Sequence, residues 1–436
     1  MRRGAVAAAV AIAFADSSIV VLALPELYGR FDTTITGVSW VISAYNAAVG
    51  VAALGLLLLV HRLNTGTLLS AGLISFLAAS IACGAAQSLA FLIAARTLQG
   101  VGAAVLLAGS LPVLGPRLWT LAGTFGLSLG PALGGVLTQA FDWRAIFVAQ
   151  APVAGLGLLG AARSRAHTVA EEGWRPSLLR TLPANACLGL LFGALVGALF
   201  LAVLLVISVW SYSPIGGALV VSVLPAAALA ARPVEARLPG LVAVCGGAGL
   251  LAGGLAGLAL LPSANVGLAI WALALCGAGL GLAVPVLSNA ALGSGGGLTR
   301  SGTLTVGMRH LGLVLALAVI APLLASKVPA AGDRALLKGT AVLLDAPIGI
   351  DKKVPVALDL RRAFARAQAG ETPDLAEPFN AHGAQHDSAL GAARDRLTGT
   401  IEATITRASR SAFFVCAGFA ALALLVATLS RRRVAS

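Results

Sequence analysis

Twelve stretches of this chain are apolar for about 18 residues or more, the length a helix needs to cross a bilayer. They fall at approximately 5–27, 37–60, 68–87, 89–112, 118–140, 144–162, 184–210, 214–231, 240–261, 266–290, 302–325 and 411–429. A membrane barrel would show short alternating segments instead, and a soluble globule is excluded by a composition that is 58% hydrophobic and only 11% charged. The expected architecture is an all-α polytopic membrane protein. The start, MRRGAVAAAVAIAFA, mimics a secretory signal with an Ala-Phe-Ala cleavage site. The apolar run resumes after Asp16, however, so it reads as an uncleaved first span of about 23 residues.

The charges give the orientation. Lys and Arg number 30 against 17 Asp and Glu, but the excess lies in short loops and forms no basic surface, so nucleic acid is not an expected partner. Arg2, Arg3, Arg62, Arg117, Arg163, Arg165, Arg175, Arg180, Arg232, Arg237, Arg300 and Arg431 to Arg433 fall on one side, with only Glu171, Glu172 and Glu235. That asymmetry predicts both termini in the cytoplasm of a cell whose cytoplasmic membrane holds the protein. The polar stretch 163–183 divides the chain into two six-helix bundles, 1–162 and 184–436, the plan of a transporter built from repeats around a midplane site.

Residues 326–410 hold ten of the acids and twelve of the Lys and Arg, and this polar segment between the last two spans is expected outside the cell. Leu390, Leu397, Ile401 and Ile405 form a helical stripe running into span twelve, which reads as a long helix projecting from the membrane. The Pro- and Gly-rich middle reads as a loop, and the whole as a small cap over the outer mouth. His382, His386 and Asp387 have a metal-like spacing but no helix to hold it, and no metal is expected. The five cysteines lie inside apolar runs and read as small core residues. GSGGG at 293–297 precedes no Lys-Ser/Thr, so it is a loop and not a phosphate cradle.

Charges within apolar helices are costly and therefore informative. Asp16, eleven residues into span one, lies roughly 17 Å deep, near the middle of a core about 30 Å thick. Glu26 lies at that span's outer end, and Arg96 about 10 Å below the outer edge, where its side chain could reach either carboxylate. A buried carboxylate tends to take up a proton and a nearby guanidinium opposes this, which makes a proton switch; a static ion pair joining helices one and four is the plainer alternative. Arg309 and His310 near the inner start of span eleven could form a second polar locus, but are expected in the interfacial zone, with Arg309 reaching to the cytoplasm.

FADSSIVVLALP (14–25), with Asp16 in the acid position and Pro25 closing the motif, is similar to the first-helix signature of the drug:proton antiporter branch of the major facilitator superfamily. LIAARTLQGVGAA (92–104) resembles the fourth-helix motif through Arg96 and Gly100. GLSLGPALGG (126–135) resembles the fifth-helix antiporter motif through Gly126, Gly130, Pro131, Gly134 and Gly135. WRAIF (143–147) and SGTLTVGMRHLG (301–312) are also similar to this branch. The loop between helices two and three departs from the family: LLLLVHRLNTGT keeps Arg62 but has His61 in the acid's place and Asn64 where a glycine is expected. The branch often has fourteen helices; this chain has the twelve-helix pattern.

The resemblance implies a transporter and not an enzyme, without cofactors, working as a single chain in the lipid bilayer, with protons at Asp16, Arg96 and Glu26 and a small lipophilic or cationic substrate. Glycines four apart permit close helix approach and Pro131 a bend, so plain packing would account for the glycine motif as well. Candidate cavity residues are Ser17, Tyr45, Asn46, Gln150, Asn185 and Asn289; Trp210 and Tyr212 read as an interfacial aromatic belt. Two other functions compete: export of one endogenous natural product or lipid, and a nontransporting scaffold or receptor acting through 326–410.

Overall fold

The computed structural model describes residues 2–161, 174–293, 297–366, 376–385 and 387–430. The arginines at 163, 165 and 431–433, the acids at 171 and 172, and His386 lie outside them. Twelve helices are long and apolar enough to cross a membrane: Arg3–Arg30, Ile35–Leu56, Thr65–Gly84, Leu89–Leu114, Pro116–Ala140, Arg144–Ala161, Arg180–Val209, Pro214–Glu235, Gly240–Ala259, Val266–Leu292, Leu298–Asp345 and Ser388–Leu429. They are called spans 1 to 12. Twelve crossings among the described residues put the start of span 1 and the end of span 12 on one face, here called the terminal face, opposite the distal face.

The spans pair in two matching sets. Span 1 packs on spans 5 and 6, span 2 on span 4, and span 3 on spans 4 and 6. Six spans further on, span 7 packs on spans 11 and 12, span 8 on span 10, and span 9 on spans 10 and 12. Spans 1 and 7, the equivalent members, are the most enclosed. The fold is two six-helix bundles.

Local sequence accounts for the helix ends. Thr34, Asn64, Ser88, Ser213 and Asn265 each cap a span by accepting a backbone N–H with the side chain. Asn64, which takes the N–H groups of Gly66 and Thr67, thus has a structural reason to replace glycine. Gly115 alone joins spans 4 and 5, at a φ of 74° that a side chain would strain. Pro25 does not end span 1. Lacking an N–H it loosens the turn ahead of it, where Val20–Ala23 tightens to a 3-10 helix, and the span continues to Arg30.

Span 7 starts within a helix that already begins at Trp174, so ten residues of the central linker are helical. Two expectations are corrected. Span 11 begins at Leu298, four residues earlier than expected, and runs 48 residues without interruption to Asp345. Segment 326–410 is therefore no separate cap: at about 1.5 Å per residue span 11 is about 72 Å long, more than twice the hydrocarbon thickness. Ala331, Ala335, Gly339 and Leu343 recur every fourth residue and are buried along its outer half. They face Ser388–Ala408, whose Leu390, Leu397, Ile401 and Ile405 are all buried, Leu397 and Ile401 against Gly339. The stripe seen in the sequence packs on a continuation of span 11. Two shorter helices, Ile350–Arg366 and Ala376–Ala381, close the projecting pair, the second within the stretch expected to be a loop.

Candidate functional site: an interior ion pair and a cavity between the bundles

Asp16 and Arg96 meet in the first bundle with both side chains fully buried. Arg96 Nη1 donates to Asp16 Oδ2 at 2.5 Å and to Gln99 Oε1 at 2.6 Å, while Arg96 Nε donates to the Val41 carbonyl at 2.9 Å. Gln150 on span 6 donates to Asp16 Oδ1 at 2.7 Å and accepts from Gln99 Nε2 at 2.8 Å, and Gln99 also donates to Ser80. Spans 1, 2, 3, 4 and 6 are tied together through one charged pair. The guanidinium lies 4.3 Å from the Tyr45 ring centroid and 5.5 Å from that of Phe147. Gly100 permits this arrangement, because a side chain there would meet the Tyr45 carbonyl.

Arg96 does not use its fork on one carboxylate; it divides its donors between Asp16, Gln99 and the span 2 backbone. Of the two acids within its expected reach it takes Asp16. Glu26 lies at the span end beside Asp142 and Arg144, bonded to the Trp143 backbone N–H. Gln99 was missed, although its place three residues after Arg96, on the same helix face, was a usable signal.

A second polar chain crosses between the bundles. Ser17 donates to Asn46 Oδ1 at 2.9 Å, Asn46 Nδ2 donates to the Ile42 carbonyl at 2.8 Å, and His310 Nδ1 lies 2.7 Å from Asn46 Oδ1. An amide oxygen only accepts, so the histidine carries its proton on Nδ1. Its ring stacks on Phe14 and sits edge-on to Tyr45, whose hydroxyl donates to the Ala13 carbonyl.

His310 and its neighbour contradict the interfacial expectation: Arg309 is 6% exposed and His310 3%. The earlier helix start explains this, since Arg309 stands eleven residues beyond Leu298, about 16 Å along the axis. Arg309 Nη2 donates to Ser288 Oγ at 2.7 Å, its guanidinium lies 4.6 Å from the Phe192 ring centroid, and its buried Nε has no hydrogen-bond partner.

Arg309 lines a cavity between the bundles. Spans 5 and 8 touch at their distal ends, where Gly135 abuts Pro214 and Ala218 and Gln139 accepts from the Ile215 N–H. Towards the terminal face both spans line a space of about 830 Å³, counting its open mouth, from Pro131 and Leu224 to Thr120 and Arg232. On the opposite side spans 2 and 11 close up, with Gly50 against Leu311 and Gly307 against Leu54.

The glycine motif shapes this region. A side chain at Gly126, Gly130 or Gly134 would strike the Ala11 carbonyl, the Ser18 hydroxyl or the Ile19 carbonyl of span 1. Gly135 faces span 8, and Pro131 lines the cavity.

None of the six expected cavity residues lines the cavity. Ser17, Tyr45, Asn46 and Gln150 are consumed in the interior networks; Asn185 is buried, donating to the Thr181 carbonyl; Asn289 points outward and is exposed. The space is framed instead by residues with no polar signature, such as Leu127, Leu195 and Val284, and by Ser18 and Arg309. Trp210 is also no belt residue: it is buried and donates to Thr406 of the projecting pair at 3.0 Å. Arg62 lies in a short 3-10 turn, Val60–Arg62, with His61 beside it in the chain. His382 lies 2.9 Å from Asp359, and Asp387 caps Ser388–Ala408 and pairs with Lys352 at 2.7 Å, so both are structural.

Twelve spans in two repeated bundles, with a cavity at their interface, are the plan of a transporter built from repeats. The family model of the Major Facilitator Superfamily matches residues 6–317, and the chain belongs to that family of transporters, not of enzymes. It is similar to the multidrug resistance protein Stp of Mycobacterium tuberculosis, 32% identical over 157 residues that cover 33% of this chain and 29% of that protein. Against the methylenomycin A resistance protein of Bacillus subtilis it is 28% identical over 193 residues, 42% of this chain and 41% of the relative. Against the drug efflux pump JefA of Mycobacterium tuberculosis it is 30% identical over 189 residues, 40% and 37% of the two chains. The matched region thus spans under half of each relative. A solved bacterial homologue of the lysosomal transporter Spinster, inward-facing and occupied, aligns over 99% of this chain and 96% of its own with a TM-score of 0.63 at 14% identity. The D-xylose-proton symporter aligns over 71% and 87% with a TM-score of 0.57 at 13% identity. At such identities the likeness is one of fold.

Proposed function

We propose that the protein is a proton-coupled exporter of lipophilic small molecules that works by alternating access, with Asp16 as the proton site. The observation that carries this reading is the Asp16 environment: a carboxylate buried in the membrane interior, bonded on one oxygen to Arg96 and on the other to Gln150. Protonation would remove the partner of Arg96 and loosen the tie between spans 1, 2, 4 and 6. Ser17, next in the chain, would pass that change through Asn46 to His310 and so to the second bundle. Proton entry would thereby bias which face the cavity opens to.

The names of the relatives support drug efflux as the process, and the apolar walls favour lipophilic cargo over the cationic compounds also expected. The excess of loop arginines on the terminal face supports cytoplasmic termini in the cytoplasmic membrane, with the projecting helices outside. Efflux of a lipophilic dye from cells expressing the protein tests the reading: it should exceed that of cells without the protein and collapse with a proton uncoupler. Efflux indifferent to the uncoupler would refute the coupling.

A further inference from the structure

Resting on the transport reading above, we infer that the cavity between spans 5 and 8 receives an amphipathic organic anion, its acidic group paired with Arg309 and its apolar body along the walls. The charge balance of the lining points there. It contains Arg309 in the interior and Arg232 towards the terminal face, and no Asp or Glu. Arg232 has a neighbour in Glu235, at 3.9 Å. Arg309 forms no ion pair among the described residues; it has the Ser288 hydroxyl, the Phe192 ring and an unbonded Nε.

A guanidinium kept in a membrane interior without a counter-ion leaves most of its desolvation cost uncompensated, and a ligand carboxylate, sulfonate or phosphate would supply the missing charge. The stack on Phe192 holds the planar group for bidentate recognition. Leu127, Leu195, Leu199, Leu224 and Leu280 provide apolar wall for a hydrocarbon or ring body. The other buried cation, Arg96, is neutralised by Asp16 and does not line this space. The acidic group separates this inference from the charge-blind affinity of a greasy pocket.

The test uses the full chain in nanodiscs of zwitterionic lipid, with three fluorescent probes of one skeleton: 11-(dansylamino)undecanoic acid, its terminal alcohol and its terminal ammonium analogue. The carboxylate should bind at least tenfold more tightly than the other two, and Arg309→Gln should remove that preference. Because a buried arginine can matter for folding, Ser288→Asp provides a second route. It places a carboxylate against Arg309 and satisfies the guanidinium internally, so a protein that keeps its wild-type thermal transition should lose the preference for the acid.

Equal or tighter binding of the ammonium probe, or an undiminished preference in folded Ser288→Asp, would overturn the inference. Repeating the titration with phosphatidylglycerol in the discs separates the sources of such a group: displacement of the probe assigns the site to an anionic lipid, and no displacement to a free lipophilic acid. Binding needs no proton gradient, so the two readings fail separately. A selective acid site in a protein without proton-driven transport sinks the transport reading alone; uncoupler-sensitive efflux with no acid preference sinks this one alone.

Discussion

His310 on span 11 and Asn46 on span 2 meet at 2.7 Å, joining the two bundles through side chains that are both buried. Asn46 also takes the Ser17 hydroxyl, so one amide oxygen serves both bundles one residue away from Asp16. Replacing Asn46 with Ala leaves two donors without their acceptor at a cost of about 1–3 kcal/mol. We expect Asn46→Ala to lower the thermal transition by a few degrees while reducing the transport rate severely, with probe binding little changed. Transport at the normal rate in the folded variant would remove this bridge from the coupling path.

The glycine motif predicts a graded set of packing defects. Gly126→Ala and Gly134→Ala drive a methyl group into backbone carbonyls of span 1, which cannot turn aside as a side chain can. Such overpacking costs about 1–3 kcal/mol. Gly253→Ala, where nothing lies within 4 Å, serves as the control and should be neutral. Thermal unfolding of the three purified variants measures the difference, and equal transitions would contradict the assigned helix contact.

The projecting helices carry two surface ion pairs with a definite pH signature. The hydrogen bond from His382, reinforced by Arg362, holds the Asp359 carboxyl below its ordinary range; Lys352 and the capped N–H groups of Leu390 and Ala389 do the same for Asp387. A lowered carboxylate contributes stability above its ordinary value of about 4 and loses it as pH falls through the lowered one. Asp387 in turn raises Lys352, whose contribution is complete below the ordinary lysine range and disappears only as pH rises past the raised value. Hydrogen-exchange protection of Ile350–Arg366 should therefore fall below about pH 4. Protection that is unchanged below about pH 4 would show that other groups hold this segment.

Joining Asp345 to Ser388 by a short flexible linker removes both small helices and leaves the pair packed through Gly339 and Leu397. This variant should retain proton-coupled efflux at a rate close to that of the full chain, because no described residue of the removed stretch lines the cavity or joins the Asp16 network. Complete loss of transport in the inserted variant would move the working part into the extension, as a receptor-like protein would require.

How much of this was readable beforehand follows from what each feature depends on. The spans depend on runs of apolar residues, and helix depth alone was enough to bring Asp16 within reach of Arg96. The rest depends on where helices begin and which faces meet. A four-residue error at the start of span 11 turned a buried arginine into an interfacial one. The outer half of that span falls in the segment expected to form a cap, because helix packing through Ala331, Ala335 and Gly339 shows no strong hydrophobic stripe. The cavity between spans 5 and 8 differs from the expected residues for another reason: polar side chains in apolar helices mark partners for one another, whereas apolar walls look like any other core.

The central claim is that Asp16 couples proton movement to transport, and it is tested most directly in vesicles containing purified protein with a pH gradient imposed across the membrane. Arg96→Lys should impair the response, since an ammonium cannot keep the Val41 and Gln99 bonds and the Tyr45 contact at once. Asp16→Asn is the decisive variant, because an amide keeps the shape but cannot exchange the proton. Removing one member of a buried pair costs about 3–5 kcal/mol, so the folded fraction is measured alongside. Folded Asp16→Asn should bind substrate and equilibrate it across the membrane, yet show no accumulation when the gradient is applied; accumulation equal to that of the unaltered protein would contradict the account.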